Sequence, residues 1–514
     1  MTTTPWLDRF FEAYYRRRPV NATFIGIHDY DGALPDYSEN GAGDTLAEMR
    51  ALLDNVDGAS VDHRLAAGYL RTQIAEFQST HFHRGNPSLY TGEAVFGLMS
   101  LFLTDYAPLP NRIESAAARL AGIPALLNQA RTNVREAPIG WTERALKECH
   151  GLAAFLTDGI GRLPLPAPAA LAGPAALALT AVAEYRHYLD TELRHRPRPD
   201  CGAGTEALEL NLREGHCLDL TANELAAYAE AELAGARAEL ARVGPPPPES
   251  PATRGRYQAL WDEVRALSDV HQLLTWPDFP IRYVDRPEWA SAAAPDLYFL
   301  FYRSPAAFHR PAMHEYLVPP DLPTESAIKL NHVVHHGGIG HHVQNWHAAR
   351  ASSRVGQVAA VDCASRIAML CGGTMAEGWA CYATDLMGEI GFLTPAEQYD
   401  ELATRCRMCA RAVVDVRLHQ GQFTLEEAAE YYQREAGMPA GAAMGEAIKN
   451  SMFPGGAVMY LTGRDEIHGL RRALSARLGP AFNLRAFHDQ FLSYGSIPVS
   501  LIASDMMQRA DAAQ

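Results

Sequence analysis

The stretch NHVVHHGGIGHHVQNW, Asn331 to Trp346, carries five histidines in sixteen residues around three glycines. His347 follows as a sixth. So many imidazoles exceed what core packing requires, because each buried ring nitrogen needs a partner. On a helix, His332 and His336 stand i,i+4, about 6 Å apart between Cβ atoms. His335 and His342 would lie two turns apart, roughly 10 Å on a straight helix, too far to share one ion. Gly337, Gly338 and Gly340 remove that restriction, since a bulge or break there brings His335 towards His341 or His342. The stretch holds no acidic residue, but CGGTMAEGWACYATDLMGEIGF, Cys371 to Phe392, reads as a helix with Glu377 beside Gly378 and Trp379. Two histidines from one helix and a glutamate from the next make a three-ligand metal site with an open position. The same donor set suits zinc and ferrous iron. A shifted set built on His332, His336 and Glu377 stays open.

Around this segment the pattern is helical. DTLAEMRALLDNV places Leu46, Met49, Leu53 and Val56 on one apolar stripe. Thr221 to Glu224 and Thr424 to Glu427 have the form of capping boxes, in which each threonine caps a free amide and each glutamate reaches back. ELAAYAEAELAGARAELARV reads as a long surface helix, ended by the proline run near 244–252. Strand signals cluster in FPIRYVDRP (Phe279 to Pro287) and DLYFLFYRSP (Asp296 to Pro305), rich in aromatic and β-branched residues and bounded by prolines. The expected architecture is therefore mainly α, with a small antiparallel β-sheet beside the histidine segment. Two interlocked helical lobes, 1–243 and 253–514, flank a proline-rich linker at 244–252.

The formal net charge of -15, from 45 basic and 60 acidic residues, disfavours nucleic acid and anionic membrane as partners. The N-terminus, MTTTPWLDRFFEAYYRRRP, has no apolar run before its charges, so no signal peptide is expected and the location is read as cytoplasmic. PLPAPAALAGPAALALTAVA, Pro164 to Ala183, is uncharged but reads as too weakly apolar and too rich in proline to span a bilayer. A proline-rich turn into an alanine-rich helix is the reading taken. Eight cysteines form no disulfide framework, and the lone CxxC of Cys406 and Cys409 reads as buried thiols on a helix.

HHGGIGHHVQ (His335 to Gln344) and EGWACY (Glu377 to Tyr382) resemble the hallmark of a bacterial zincin-like family, domain of unknown function 885, related to metallopeptidases. That hallmark is H-E-x-x-P-G-H-H-x-Q followed by E-G-W-A-x-Y. PVNATFIGIHDYDGALPDYS (Pro19 to Ser38), RAVVDVRLHQGQFTLEEA (Arg411 to Ala428), FPGGAVMYLTG (Phe453 to Gly463) and LGPAFNLRAFHDQFLSYGSIPVSLI (Leu478 to Ile502) extend the resemblance nearly end to end. It implies a large multi-helix zincin-like fold of the gluzincin or carboxypeptidase kind. It also implies a divalent metal, zinc first and ferrous iron or another transition metal second. Carried over position by position, it makes His335 the first ligand, His341 the second with His342 as the alternative, and Glu377 the third. Tyr460 becomes a phenol donor to a developing oxyanion. Asp415 and His419 form a carboxylate–imidazole pair read as structural, and His488 receives no role.

The departures surround the implied site. His336 stands where the family has its glutamate base, Ile339 replaces the proline, and Gly337 and Gly338 replace two ordinary positions. Gly456, Thr384, Lys449 and Asn450 replace a glutamine, a glutamate and an arginine–tyrosine pair. The resemblance thus implies a metal-dependent enzyme acting on a small peptide, amide or amino-acid-derived substrate, with His336 as the base. A non-hydrolytic dehydratase, lyase or cyclase and a non-catalytic binding descendant are the alternatives. Arg282, Arg286 and Arg303, in the segment that lines the family's cleft, are candidates to hold a substrate carboxylate.

Overall fold

Three- and four-residue apolar spacing becomes helix along most of the chain. The computed structural model describes residues 5–297, 303–364 and 366–512, which divide into two units. The first is drawn from Met1–Cys201, Arg286–Pro311 and Val361–Ala368, the second from Gly202–Asp285, Ala312–Ala360 and Met369–Gln514. The proline-rich run at 244–252 lies inside the second.

The described residues of the first unit form helices and loops. In the helix Glu39–Asp54 the buried face is Thr45, Met49 and Leu52, so the expected stripe is rotated, and Val56 falls beyond the helix end. The alanine-rich stretch forms the helix Ala167–Thr191, with Pro174 accommodated inside it. Contrary to expectation, Ala167–His195 is long and apolar enough to cross a membrane by length and composition. Its Leu171, Ala175, Ala178, Val182, Tyr185 and Leu189 are nonetheless buried at three- and four-residue spacing, the stripe of a helix packed on a protein core. Arg119 is fully buried in this unit because it finds acceptors, among them Ala33 O at 3.0 Å and Thr23 Oγ1 at 2.7 Å.

In the second unit, both expected capping boxes form, at Thr221–Glu224 and Thr424–Glu427, and a third forms at Thr394–Glu397. Cys406 and Cys409 are buried free thiols. The sheet differs from expectation. β1 (Ile281–Asp285) arises where FPIRYVDRP predicts it, but it pairs in parallel with β2 (His314–Val318), in the register Ile281↔His314 to Asp285↔Val318. The antiparallel expectation assumed a hairpin partner at 296–305, of which 298–302 lie outside the described residues. Instead, a long segment separates the two strands, and a crossover of more than about a dozen residues is what parallel pairing needs.

Two helices of this unit bear candidate residues, Gly373–Glu389 with Glu377 and Met459–Leu478 with Tyr460. They run side by side in the same direction, since Gly373 meets Met459, Gly378 meets Gly463, Asp385 meets His468 and Glu389 meets Arg471. Contact is backbone to backbone: a Cβ added to Gly378 would lie 2.6 Å from Gly463 Cα. A Cβ on Gly463 would collide with Thr374 O and lie 2.9 Å from Gly378 Cα. Gly463→Val should therefore destabilise the protein by about 1–3 kcal/mol or more in urea unfolding. Gly469→Ala, on the same helix with nothing within 4 Å of the added carbon, should be neutral or stabilising. Equal effects of the two substitutions would contradict the close crossing.

Candidate metal centre

The histidine segment begins as a π-helix, Ile328–Gly337, ends at Gly338, and resumes as the α-helix His341–Ala348. Its start is anchored by Lys329, whose ammonium donates to Phe392 O and Glu397 Oε2, both at 2.7 Å. The break depends on Gly340, because any Cβ there would overlap the His335 carbonyl. Breaking a helix frees carbonyls, and two indoles satisfy them: Trp261 Nε1–H donates to Gly337 O and Trp379 Nε1–H to Ile339 O, each at 2.9 Å. Trp379 lies two residues past Glu377, so the bond that closes the loop also fixes the carboxylate's helix against it.

The result brings three of the expected residues together. Glu377 Oε2 lies 3.5 Å from His335 Nε2 and 3.4 Å from His341 Nε2. It is buried and makes no hydrogen bond, although both distances fall within ion-pair range. Four ligand atoms around a tetrahedral zinc, with bonds of about 2.0–2.2 Å, stand roughly 3.3–3.6 Å apart, which is the spacing of Glu377 from each of the two imidazoles. Burial alone would favour the neutral Glu377 acid, but His341 and His335 hold its carboxyl well below the usual range. Burial also lowers His335 below the ordinary histidine value. The donor set is one carboxylate and two imidazoles, residue types that bind a transition metal once the imidazoles are neutral.

His336 joins from the side. One ring nitrogen each of His335, His336 and His341 lies within 4.8 Å of the others, a trio that could itself hold an ion. The set with Glu377 is the better cage, because the anion offsets the cation's charge and its oxygen has no other bond. His336 Nδ1–H donates to Asn331 O at 2.6 Å, which leaves Nε2 as the proton acceptor. Burial, with His335 and His341 next, pushes this ring well below the histidine range, so it is neutral near pH 7.

The other candidates are placed elsewhere. His342 is fully buried, stacked on Phe279 at 4.8 Å, with Nε2 at 2.7 Å from Phe279 O. His332 Nδ1 lies 2.6 Å from Tyr316 Oη, and the cluster of possible ligands among the described residues is His335, His336 and His341, without His332. Asp415 accepts from the backbone of Gly455 (3.0 Å) and Ala457 (2.7 Å) and lies 3.3 Å from His419 Nε2, pinning the loop ahead of Tyr460. Burial pushes its carboxyl up to about 7 against those amides. His488 donates from Nδ1 to Leu273 O at 2.6 Å and accepts from Tyr382 Oη at 2.8 Å, bracing the Glu377 helix. Arg282 pairs with Glu315 across the strand register, and Arg303 donates to Cys363 O at 2.6 Å in the first unit. Arg286 also belongs to the first unit.

Sequence reasoning passed over Arg411. Its Nε donates to Glu446 Oε2 at 2.8 Å, and its guanidinium carbon stands 4.9 Å from the centre of the Tyr460 ring. The one available clue was its position four residues before Asp415 on the helix Pro395–His419.

Fold and site together define a mainly helical protein with a buried histidine–carboxylate centre. The family described as a bacterial protein of unknown function (DUF885) matches residues 19–506, and the chain belongs to it. No curated protein matches the chain. Among the solved structures that match, the following two have the same fold. A candidate lipoprotein of unknown function from Shewanella oneidensis has 22% identity and a TM-score of 0.72, covering 98% of this chain and 99% of its own. A candidate lipoprotein from Colwellia psychrerythraea has 16% identity and a TM-score of 0.78, covering 99% of each chain. An M32 carboxypeptidase from Deinococcus radiodurans R1 aligns over 99% of both chains at 10% identity, but its TM-score of 0.39 is too low to argue from. The expectation of a cytoplasmic location is corrected by the first two, since a lipoprotein is held to a membrane by its acyl chains.

Glu446 provides a test of the local electrostatics. Burial would raise its carboxyl, but Arg411 and Lys449 outweigh that and hold it at about 2. A depressed carboxylate contributes stability that is present above its unfolded value near 4.5 and is lost as pH falls towards 2. The stability deficit of Glu446→Gln, roughly 2–3 kcal/mol at neutral pH, should shrink towards zero between about pH 5 and 2 in urea titrations. A deficit that stays constant across that window would refute the ion pair's contribution.

Proposed function

We propose that this protein is a metal-dependent enzyme acting on a small peptide, amide or amino-acid-derived substrate. His335, His341 and Glu377 are its metal ligands, and His336 is its acid–base group. The observation that carries the proposal is Glu377 Oε2, buried, without a hydrogen bond, and standing at ligand–ligand spacing from two imidazole nitrogens. HHGGIGHH is read as an altered H-E-x-x-P-G-H-H, and the fold as zincin-like. Zinc matches the donor set, and ferrous iron remains compatible with it. Such a cation supplies Lewis acidity to a bound carbonyl.

This chain's own residues then orient the reactants and move the proton. The Asn331 carbonyl holds the His336 ring by its Nδ1–H, so Nε2 takes a proton from the reacting group and later returns it to the leaving group. Tyr460, stacked beneath Arg411, offers a phenol to the charge that develops on the substrate oxygen. A non-hydrolytic lyase or cyclase on the same metal is the second reading, favoured by an imidazole standing where a hydrolase of this form carries a carboxylate.

Metal analysis of the purified chain should give about one equivalent of a transition metal. Glu377→Gln and His341→Ala should lose it, and His342→Ala should retain it. Less than about a tenth of an equivalent in the native protein, or loss confined to His342→Ala, would sink the assignment. His336→Glu separates the two chemistries: a rise in peptide hydrolysis marks a non-hydrolytic native reaction, whereas a shifted pH profile marks a hydrolase.

A further inference from the structure

Arg411 spends only part of its hydrogen-bonding capacity on the protein. A guanidinium has five N–H donors. Here Nε–H is taken by Glu446, and the terminal nitrogens donate to no described residue. The group is fixed on two sides, by the Glu446 carboxylate at its Nε edge and by the Tyr460 ring under its face at 4.9 Å. Glu446 is shared with Lys449, so this corner carries more positive than negative charge. Tyr460 lies less than a turn before Gly463, whose backbone touches Gly378, the neighbour of Glu377. The parallel course of the two helices therefore sets the Arg411–Tyr460 stack within about one turn of the Glu377 level. The Arg411 charge is also felt at His335.

A half-buried, immobilised guanidinium with an open fork beside a reactive centre is a receptor for a planar anion. We propose that Arg411 anchors a substrate carboxylate, which makes the substrate class carboxylate-bearing: an amino-acid derivative or a peptide with a free C-terminus. This rests on the reading of the His335–His341–Glu377 cluster as the reactive centre. Glu446 and Tyr460 act as positioning residues for the guanidinium. The role is one that Arg282 and Arg303, engaged by Glu315 and Cys363, do not perform.

The test uses N-acetylated dipeptides, each as the free acid and as the C-terminal amide, titrated by calorimetry into the full chain and into Arg411→Lys and Arg411→Met. Wild type should bind the acids about tenfold or more tightly than the amides, as charge-assisted paired hydrogen bonds require. Arg411→Met should erase that preference while leaving amide affinity unchanged. Arg411→Lys keeps the charge that Glu446 needs but lacks the fork, and should lower the preference severalfold even if the methionine variant folds poorly. Equal binding of acid and amide by wild type, no binding of either, or a full preference in Arg411→Lys overturns the proposal. Metal content measured on the same samples keeps the two readings apart. Loss of metal with the preference intact removes only the metal assignment, and bound metal without a preference removes only the role of Arg411.

Discussion

Two imidazole nitrogens and one carboxylate oxygen converge on a point that no protein hydrogen bond fills. Left to itself, a buried carboxylate would take hydrogen bonds or accept a proton, because an unpaired charge away from water is costly. Here Glu377 does neither with Oε2; it stands off from His335 and His341 by a spacing suited to an ion. The rest of the local architecture holds that gap open. Lys329 fixes the near end of the π-helix, Gly340 allows the reversal, and two tryptophans take up the carbonyls that the reversal frees.

The carboxylate's helix is constrained as firmly as the histidines. Gly378 against Gly463 brings two backbones into contact directly beside Glu377, and ion pairs at Asp385 and Glu389 continue the parallel alignment. One crossing therefore sets both Glu377 and Tyr460, and through Tyr460 it sets Arg411. His342, His332, His419 and His488, although close in sequence or family pattern to the candidate residues, are engaged by Phe279, Tyr316, Asn450 and Leu273. Imidazoles thus stand here both in the candidate cluster and as bracing, and hydrogen-bond partners distinguish the two settings where residue type does not.

Helical content was legible because amphipathic spacing and capping boxes are local. Thr221–Glu224 and Thr424–Glu427 close as their order along the chain requires, and β1 forms where proline-bounded aromatic residues predict it. Sheet direction was not legible, since pairing depends on which distant segment arrives, and that segment was His314–Val318. The buried stripe of Glu39–Asp54 was misjudged for a related reason: Thr45 faces inward against neighbours that helical periodicity does not reveal. Arg411 was overlooked because its own helix offers only its spacing from Asp415. Its importance comes from Tyr460 and Glu446 on other helices.

The chemistry on offer was written in the chain: clustered imidazoles, glycines able to interrupt a helix, and one glutamate a short distance onward. Those are matters of residue type and local backbone freedom, and they do not depend on what lies across the fold. Which histidine meets Glu377, which are spent on carbonyls, and which arginine keeps its fork open were decided by packing between helices far apart along the chain. The physical reason is that a hydrogen-bonding group is defined by its partner, and partners here are supplied by the tertiary fold.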